Sequence, residues 1–203
     1  MKKLLMAVLG LTTLTLVGCI EGKYTGGGWT ESITDPDAKA TFAGNFEAID
    51  ADGDGEVFDF FSGTFDPDDT FKGQFQYNDH GTADVAFHGT VTNGYLMTDP
   101  TFIAVFPADR PSDYNVPGAI YFEGTYRPVG KSEPGDEGTF EVMVIDNGEP
   151  GPSEGDTIWV ACTSGKFAGY TTDLDVFLGG LAWDDDIFGQ PLRGGNIQFH
   201  PPE

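Results

Sequence analysis

Phe71-Lys-Gly-Gln-Phe75-Gln-Tyr77-Asn78 decides the fold class. Apolar and polar residues alternate through it, and a period of two puts every aromatic ring on one face of a strand and every polar side chain on the other. The next segment repeats the pattern, with Val85, Phe87, Gly89 and Val91 set against Asp84, Ala86, His88 and Thr90. Working outward, the same period predicts strands over 24–33, 39–49, 56–65, 94–106, 119–127, 138–146, 157–163, 167–178 and 193–200. Beyond the first eighteen residues, no window of helical length carries apolar positions at three-four spacing. The chain therefore reads as all-β, with about ten strands. Asp, Asn, Pro and Gly at 34–37, 66–69, 78–81 and 92–94 predict hairpins, hence an antiparallel meander. Exposed sheet edges invite aggregation, so the meander should close into a barrel or flattened barrel, or fold into a sandwich. The longer connections at 107–117, 127–137, 147–155 and 179–192 are where loop-borne binding residues are expected.

The first eighteen residues differ from the rest. MKKLLMAVLGLTTLTLVG has two lysines and then an apolar run too short for a comfortable membrane span, the pattern of a secretory leader helix. Leu16-Val17-Gly18 directly precedes Cys19, as in the lipobox of bacterial lipoproteins, where the cysteine becomes the acylated first residue. The expected organisation is a leader over 1–18, a lipidated tether over 19–23 and one all-β domain over 24–203. Several acyl chains on Cys19 would hold the protein stably to a membrane. Ile20 stands where some bacteria use aspartate for inner-membrane retention, which points to the outer membrane or cell surface. With Cys19 lipidated, Cys162 is the one remaining thiol, so the body is held by its core and not by a disulfide.

Charge narrows the partners. The chain carries a net charge of −23, with 33 acidic residues against 10 basic ones, and two of those ten are Lys2 and Lys3 in the leader. Phosphate-rich partners need clustered Lys and Arg, so nucleic acid and anionic lipid surfaces are poor partners, and no nucleic-acid ligand is expected. Seventeen phenylalanines supply an aromatic interior.

Several segments stand in a recognisable order: GGGWTESI, ATFAGNF, KGQFQYNDH, FEVMVIDNGEPG followed by GDTIWV, and RGGNIQFH near the C-terminus. Together they resemble the post-COAP-type domain of secreted and surface proteins, over about residues 26–200. Its most specific pieces here are Asp146-Asn-Gly-Glu-Pro-Gly151 and Gly194-Gly-Asn-Ile-Gln-Phe-His200. The chain departs from that pattern by an acidic insertion over 50–69 and by acidic loops such as Asp184-Asp-Asp186. The resemblance implies a β fold and a surface location; it implies no enzymatic role.

Among residues that can carry chemistry, Asp50, Asp52, Asp54 and Glu56 alternate around Gly53 and Gly55 like the front of a calcium loop. Phe61 stands where an EF-hand needs its bidentate Glu, so a complete EF-hand is excluded. Two readings stand: a solvated acidic turn, or a weak Ca²⁺ site filled at extracellular concentrations. Asp146, Glu149 and Asp156 form a second and weaker Ca²⁺ candidate, beside the plain reading of Asp-Asn-Gly as turn chemistry. The three histidines are His80, His88 and His200, and a shared site of Asp79, His80 and His200 would be needed for zinc or general acid–base work. Cys162, inside Ile158-Trp-Val-Ala-Cys162, reads as a buried core thiol. Trp183, Tyr114 and Tyr170 are aromatics that could stack on sugars. No hydrolase elbow or nucleophile–base pair is legible, so no catalytic residue is assigned.

The expected function is a non-enzymatic, lipid-anchored surface protein that binds, adheres or assists, stiffened by Ca²⁺ at its acidic turns. Its ligand class stays open between protein, glycan and small apolar molecule. Gly26-Gly-Gly-Trp29 keeps a lipocalin-like carrier as a rival, and Asp79, His80 and His200 keep a small hydrolase or isomerase as another.

Overall fold

A computed structural model of the chain describes residues 22–49, 51, 58–59, 64–65, 69–97, 118–130, 133–146, 155–172 and 189–200. The leader, Cys19 and the strand segments expected over 98–106 and 173–178 lie outside them. The described residues are all-β and contain no helix. Eleven strands run in chain order: β1 Gly22–Glu31, β2 Lys39–Ile49, β3 Phe58–Asp59, β4 Thr64–Phe65, β5 Thr70–Asp79, β6 Val85–Met97, β7 Gly118–Pro128, β8 Gly138–Asp146, β9 Thr157–Cys162, β10 Gln190–Pro191 and β11 Gly194–His200. Nine of them form one antiparallel sheet in the order β10-β9-β8-β7-β6-β5-β2-β1-β11, and β3 and β4 pair separately.

The sheet is curled, and its last segment shows how far. β10 pairs with β9 at one edge and β11 pairs with β1 at the other, yet only Leu192 and Arg193 separate them in the chain. Leu192 N donates to Asp156 O beside β9, and Arg193 N donates to Trp29 O on β1. One short stretch thus engages the backbone of both edges, which limits the unpaired ladder exposed to other chains. The landmark segments at the two ends of the body, Gly26–Trp29 and Gly194–Ile197, are direct partners in this pairing.

The inward face holds the core that the alternation predicts. Phe75 sits at its centre, with ring centroids at 5.4 Å to Phe122, 5.7 Å to Phe140 and 6.1 Å to Phe87. Phe46, Tyr24, Tyr77, Tyr126 and Ile197 continue the packing around it, and all are buried. The Phe140 ring fills the space over Gly89, where an added Cβ would lie 2.5 Å from the ring edge. The described interior is therefore packed ring against ring.

Three boundaries differ from expectation. Thr92-Asn-Gly94 is not a hairpin turn: β6 runs through it as one strand of 13 residues. The extra residue is absorbed by a bulge between Val91 and Asn93, which moves the inward face from odd to even positions. Gly94 then faces inward, where Phe46 and Phe122 pack so closely that any side chain would collide. The single strand expected over 56–65 is two short strands, with Phe58 opposite Phe65; Ser62-Gly63 lies between them in sequence and is the turn signal passed over. The strand expected over 167–178 begins instead as a turn, with Ala168 N bonded to Gly165 O and Gly169 N to Cys162 O. Gly165 and Gly169 take left-handed backbone angles there, and Tyr126 Oη fixes the turn by donating to Ser164 O and accepting from Phe167 N.

Candidate functional site: the polar outer face

The two faces of the sheet have different chemistry because alternation separates them. Opposite the aromatic interior, the outer face of β5–β8 carries a groove of about 680 Å³. Gln74, His88, Thr90, Thr125, Arg127 and Thr139 line it, and each is exposed. Register puts four of these in one row: Gln74 opposite Thr90, Thr90 opposite Thr125, Thr125 opposite Thr139. At the far end Thr139 Oγ1 bonds Thr163 Oγ1 and Ser164 Oγ, both at 2.7 Å, which ties the row to the turn that Tyr126 holds. Arg127 pairs with Glu137 at 3.1 Å on one flank, and Lys72 pairs with Glu47 at 3.0 Å on the other. These exposed pairs contribute little stability. Their consequence is local neutrality.

A carboxyl pair stands one register step from the groove. Glu123 lies directly opposite Glu141, and Glu123 accepts bonds from Asn93 Nδ2 and Tyr121 Oη. Partial burial, and then the charge of Glu123, push the Glu141 carboxyl above its ordinary range. The sequence reading passed over this pair because register, not spacing along the chain, brings it together.

Of the residues singled out from sequence, His88 lines the groove. Asp50, Asp52, Asp54, Glu56 and Glu149 lie outside the described residues, as do Tyr114 and Trp183. Asp146 and Asp156, the described members of the second Ca²⁺ candidate, are both buried. Asp146 ends β8 at 6% exposure and Asp156 is fully buried just before β9. Asp146 continues the inward positions Phe140, Val142 and Val144, while Asp156 precedes the inward Ile158, Val160 and Cys162. The Asp156 carboxylate accepts a bond from Ile197 N at 3.2 Å. Among the described residues, no group of three His, Cys, Asp or Glu side chains is placed to hold a metal ion.

Asp79, His80 and His200 do not assemble. Asp79 continues the inward face of Phe75 and Tyr77 and is fully buried. Its Oδ1 accepts from Gly81 N at 2.8 Å and its Oδ2 accepts from Tyr170 Oη at 2.8 Å; Tyr170 Oη in turn lies 2.6 Å from Tyr77 Oη. Tyr170 is half-buried against the core, and its hydroxyl is committed to this network. Burial, with the Asp79 charge adding to it, raises the Tyr77 and Tyr170 hydroxyls above the usual phenol range. His80 is exposed beyond β5, next to Lys39, while exposed His200 pairs with Lys23 at the other end of β1. Seven residues of strand, about 23 Å at the usual rise, separate Lys23 from Thr30, the position in register with Asp79. Cys162 is buried at 2% exposure, and burial pushes its thiol up to about 12, which leaves it protonated and unreactive.

Comparison with family models, with curated proteins and with solved structures finds no significant match to this chain.

Proposed function

We propose that the chain is a lipid-anchored, non-enzymatic binding module of the bacterial cell envelope, carried by Cys19 and displaying the polar outer face of its β domain to a ligand. One observation carries the reading: the groove of about 680 Å³ lies outside the sheet and is lined by exposed polar side chains, whereas the inward face is occupied by packed rings. A carrier needs an open apolar cavity instead. The finer architecture that suits this reading is a barrel closed by residues 190–200, a stiff body from which the groove projects. The resemblance to the post-COAP-type domain agrees with a surface role, and Ca²⁺ bound over 50–56 would stiffen the acidic insertion.

Two measurements test it. In cell fractionation, Cys19→Ser should move the full chain from membranes to the soluble fraction; unchanged membrane retention would contradict the anchor. A fluorescent fatty acid should show no saturable binding to the full chain. Saturable binding that Phe75→Ala alters would replace the outer-face module with a carrier.

A further inference from the structure

The row in the groove is part of a longer one. Following the pairing from strand to strand, Gln198 stands opposite Thr25, Thr25 opposite Asn45, Asn45 opposite Gln74, and then Thr90, Thr125 and Thr139 follow. Thr163 completes it through its bond to Thr139. Eight side chains on eight neighbouring segments are all hydroxyls or carboxamides, and none is charged, in a chain with a net charge of −23. The rows on either side do carry charges: Lys72–Glu47 and Arg127–Glu137 are ion pairs, and Glu123 faces Glu141 one register step beyond Thr125 and Thr139, but no side chain of the row itself is charged. The strip is therefore neutral, polar and linear.

Some of its groups are already used within the protein. Thr25 Oγ1 bonds His200 Nε2, Asn45 Oδ1 accepts from Gln74 N, and Thr139 is held by Thr163 and Ser164. Among the described residues, the hydroxyls of Thr90 and Thr125 and the carboxamide of Gln74 have no protein partner, and these three sit in the groove. A threonine hydroxyl both donates and accepts, and a carboxamide does the same through two atoms. Neighbouring strands repeat at about 4.8 Å, close to the length of one sugar ring in a chain. A ligand matched to such a strip carries many hydroxyls, little charge and a short linear repeat.

We infer that the outer-face row centred on Gln74, Thr90 and Thr125 is a binding track for a neutral polysaccharide laid across the strands. This inference rests on the proposal that the outer face is the ligand face, and it adds the class of ligand. The absence of charge at the track predicts that binding is insensitive to salt, unlike capture of a polyanion or polycation.

The test is retention of the full chain on immobilised amylose, cellulose and β-1,3-glucan, with polygalacturonate and heparin as acidic controls. The expected result is retention on a neutral polymer that survives high salt. Thr90→Val and Thr125→Val should each weaken it about two- to tenfold, the effect of removing one hydrogen bond. Valine keeps the β-branched shape, so the sheet should persist, and an unchanged melting temperature verifies this. Thr125→Ser restores a hydroxyl and should retain binding, and Thr70→Val, exposed on β5 but away from the row, should have no effect. Neutral binding that is indifferent to both groove valines would overturn the track. Retention on acidic polymers alone, lost with those variants, would overturn the neutral ligand and leave the outer face as the binding surface. Failure on every polymer would overturn the inference, while the module reading stands or falls separately on the fatty-acid measurement.

Discussion

Tyr170→Phe removes a single oxygen from the buried network at the end of β5. That oxygen donates to Asp79 Oδ2 at 2.8 Å and lies 2.6 Å from Tyr77 Oη. The variant leaves a fully buried carboxylate with one donor fewer, the remaining one being Gly81 N, and leaves Tyr77 Oη without this partner. A hydrogen bond to a charged group contributes about 1.5–3 kcal/mol and one between neutral groups about 0.5–1.5 kcal/mol, so the expected loss is about 2–4 kcal/mol. For a domain of this size that lowers Tm by about 4–16 °C. Urea denaturation of parent and variant measures it directly, with Tyr24→Phe as the control. Tyr24 Oη is also fully buried but has no hydrogen-bond partner among the described residues, and it lies in the field of Asp156. Removing it should leave stability unchanged or raise it by up to about 1 kcal/mol, because an unsatisfied buried hydroxyl is lost. Equal effects of the two substitutions, or a loss under about 1 kcal/mol for Tyr170→Phe, would refute the reasoning that the Tyr77–Tyr170–Asp79 chain holds this end of the fold.

Gly89→Ala should cost about 1–3 kcal/mol in the same assay, since its methyl would meet the Phe140 ring at 2.5 Å while Phe75 and Phe87 hem that ring in; a neutral effect would mean the core is looser than described. Alkaline melting tests the buried phenols: Tyr24, Tyr77 and Tyr170 hold their protons above the usual range, so stability is full below about pH 10 and then falls by about 1.4 kcal/mol per pH unit for each group. A melting temperature that is flat between pH 10 and 11 would contradict their burial. Glu141→Gln removes like-charge repulsion with Glu123 and should raise stability at pH 7 by about 0.2–1 kcal/mol. The sign follows from the raised carboxyl, whose contribution is present when it is protonated and lost as pH rises, so the gain should shrink in acid; a gain independent of pH would exclude this cause.

The alternation in Phe71–Asn78 was enough to read an all-β chain and to sort its faces, because a period of two acts on side chains that the backbone must place on opposite sides. The same rule, carried one residue further, would have found the buried acids: Asp79 follows Phe75 and Tyr77 in phase, and Asp146 follows Val142 and Val144. Their polar identity masked their position, since a lone aspartate beside Gly and Asn looks like turn chemistry. Thr92-Asn-Gly94 misled for a related reason. A bulge and a hairpin turn share composition, and only the shift of inward positions from Val91 to Gly94 separates them. The threonine row was not legible at all, because Thr90, Thr125 and Thr139 become neighbours only through strand register. Turn chemistry and the buried face fix that register late in folding logic, not in any local window.

Backbone amide mapping by NMR, with the full chain titrated by an oligosaccharide of whichever neutral polymer retains it, tests the central claim most directly. The account predicts shift changes grouped at Gln74, Thr90, Thr125 and Thr139, with the inward positions Phe75, Phe122 and Phe140 unmoved beyond their strand neighbours. Changes centred on the inward residues, with the outer row silent, would contradict it.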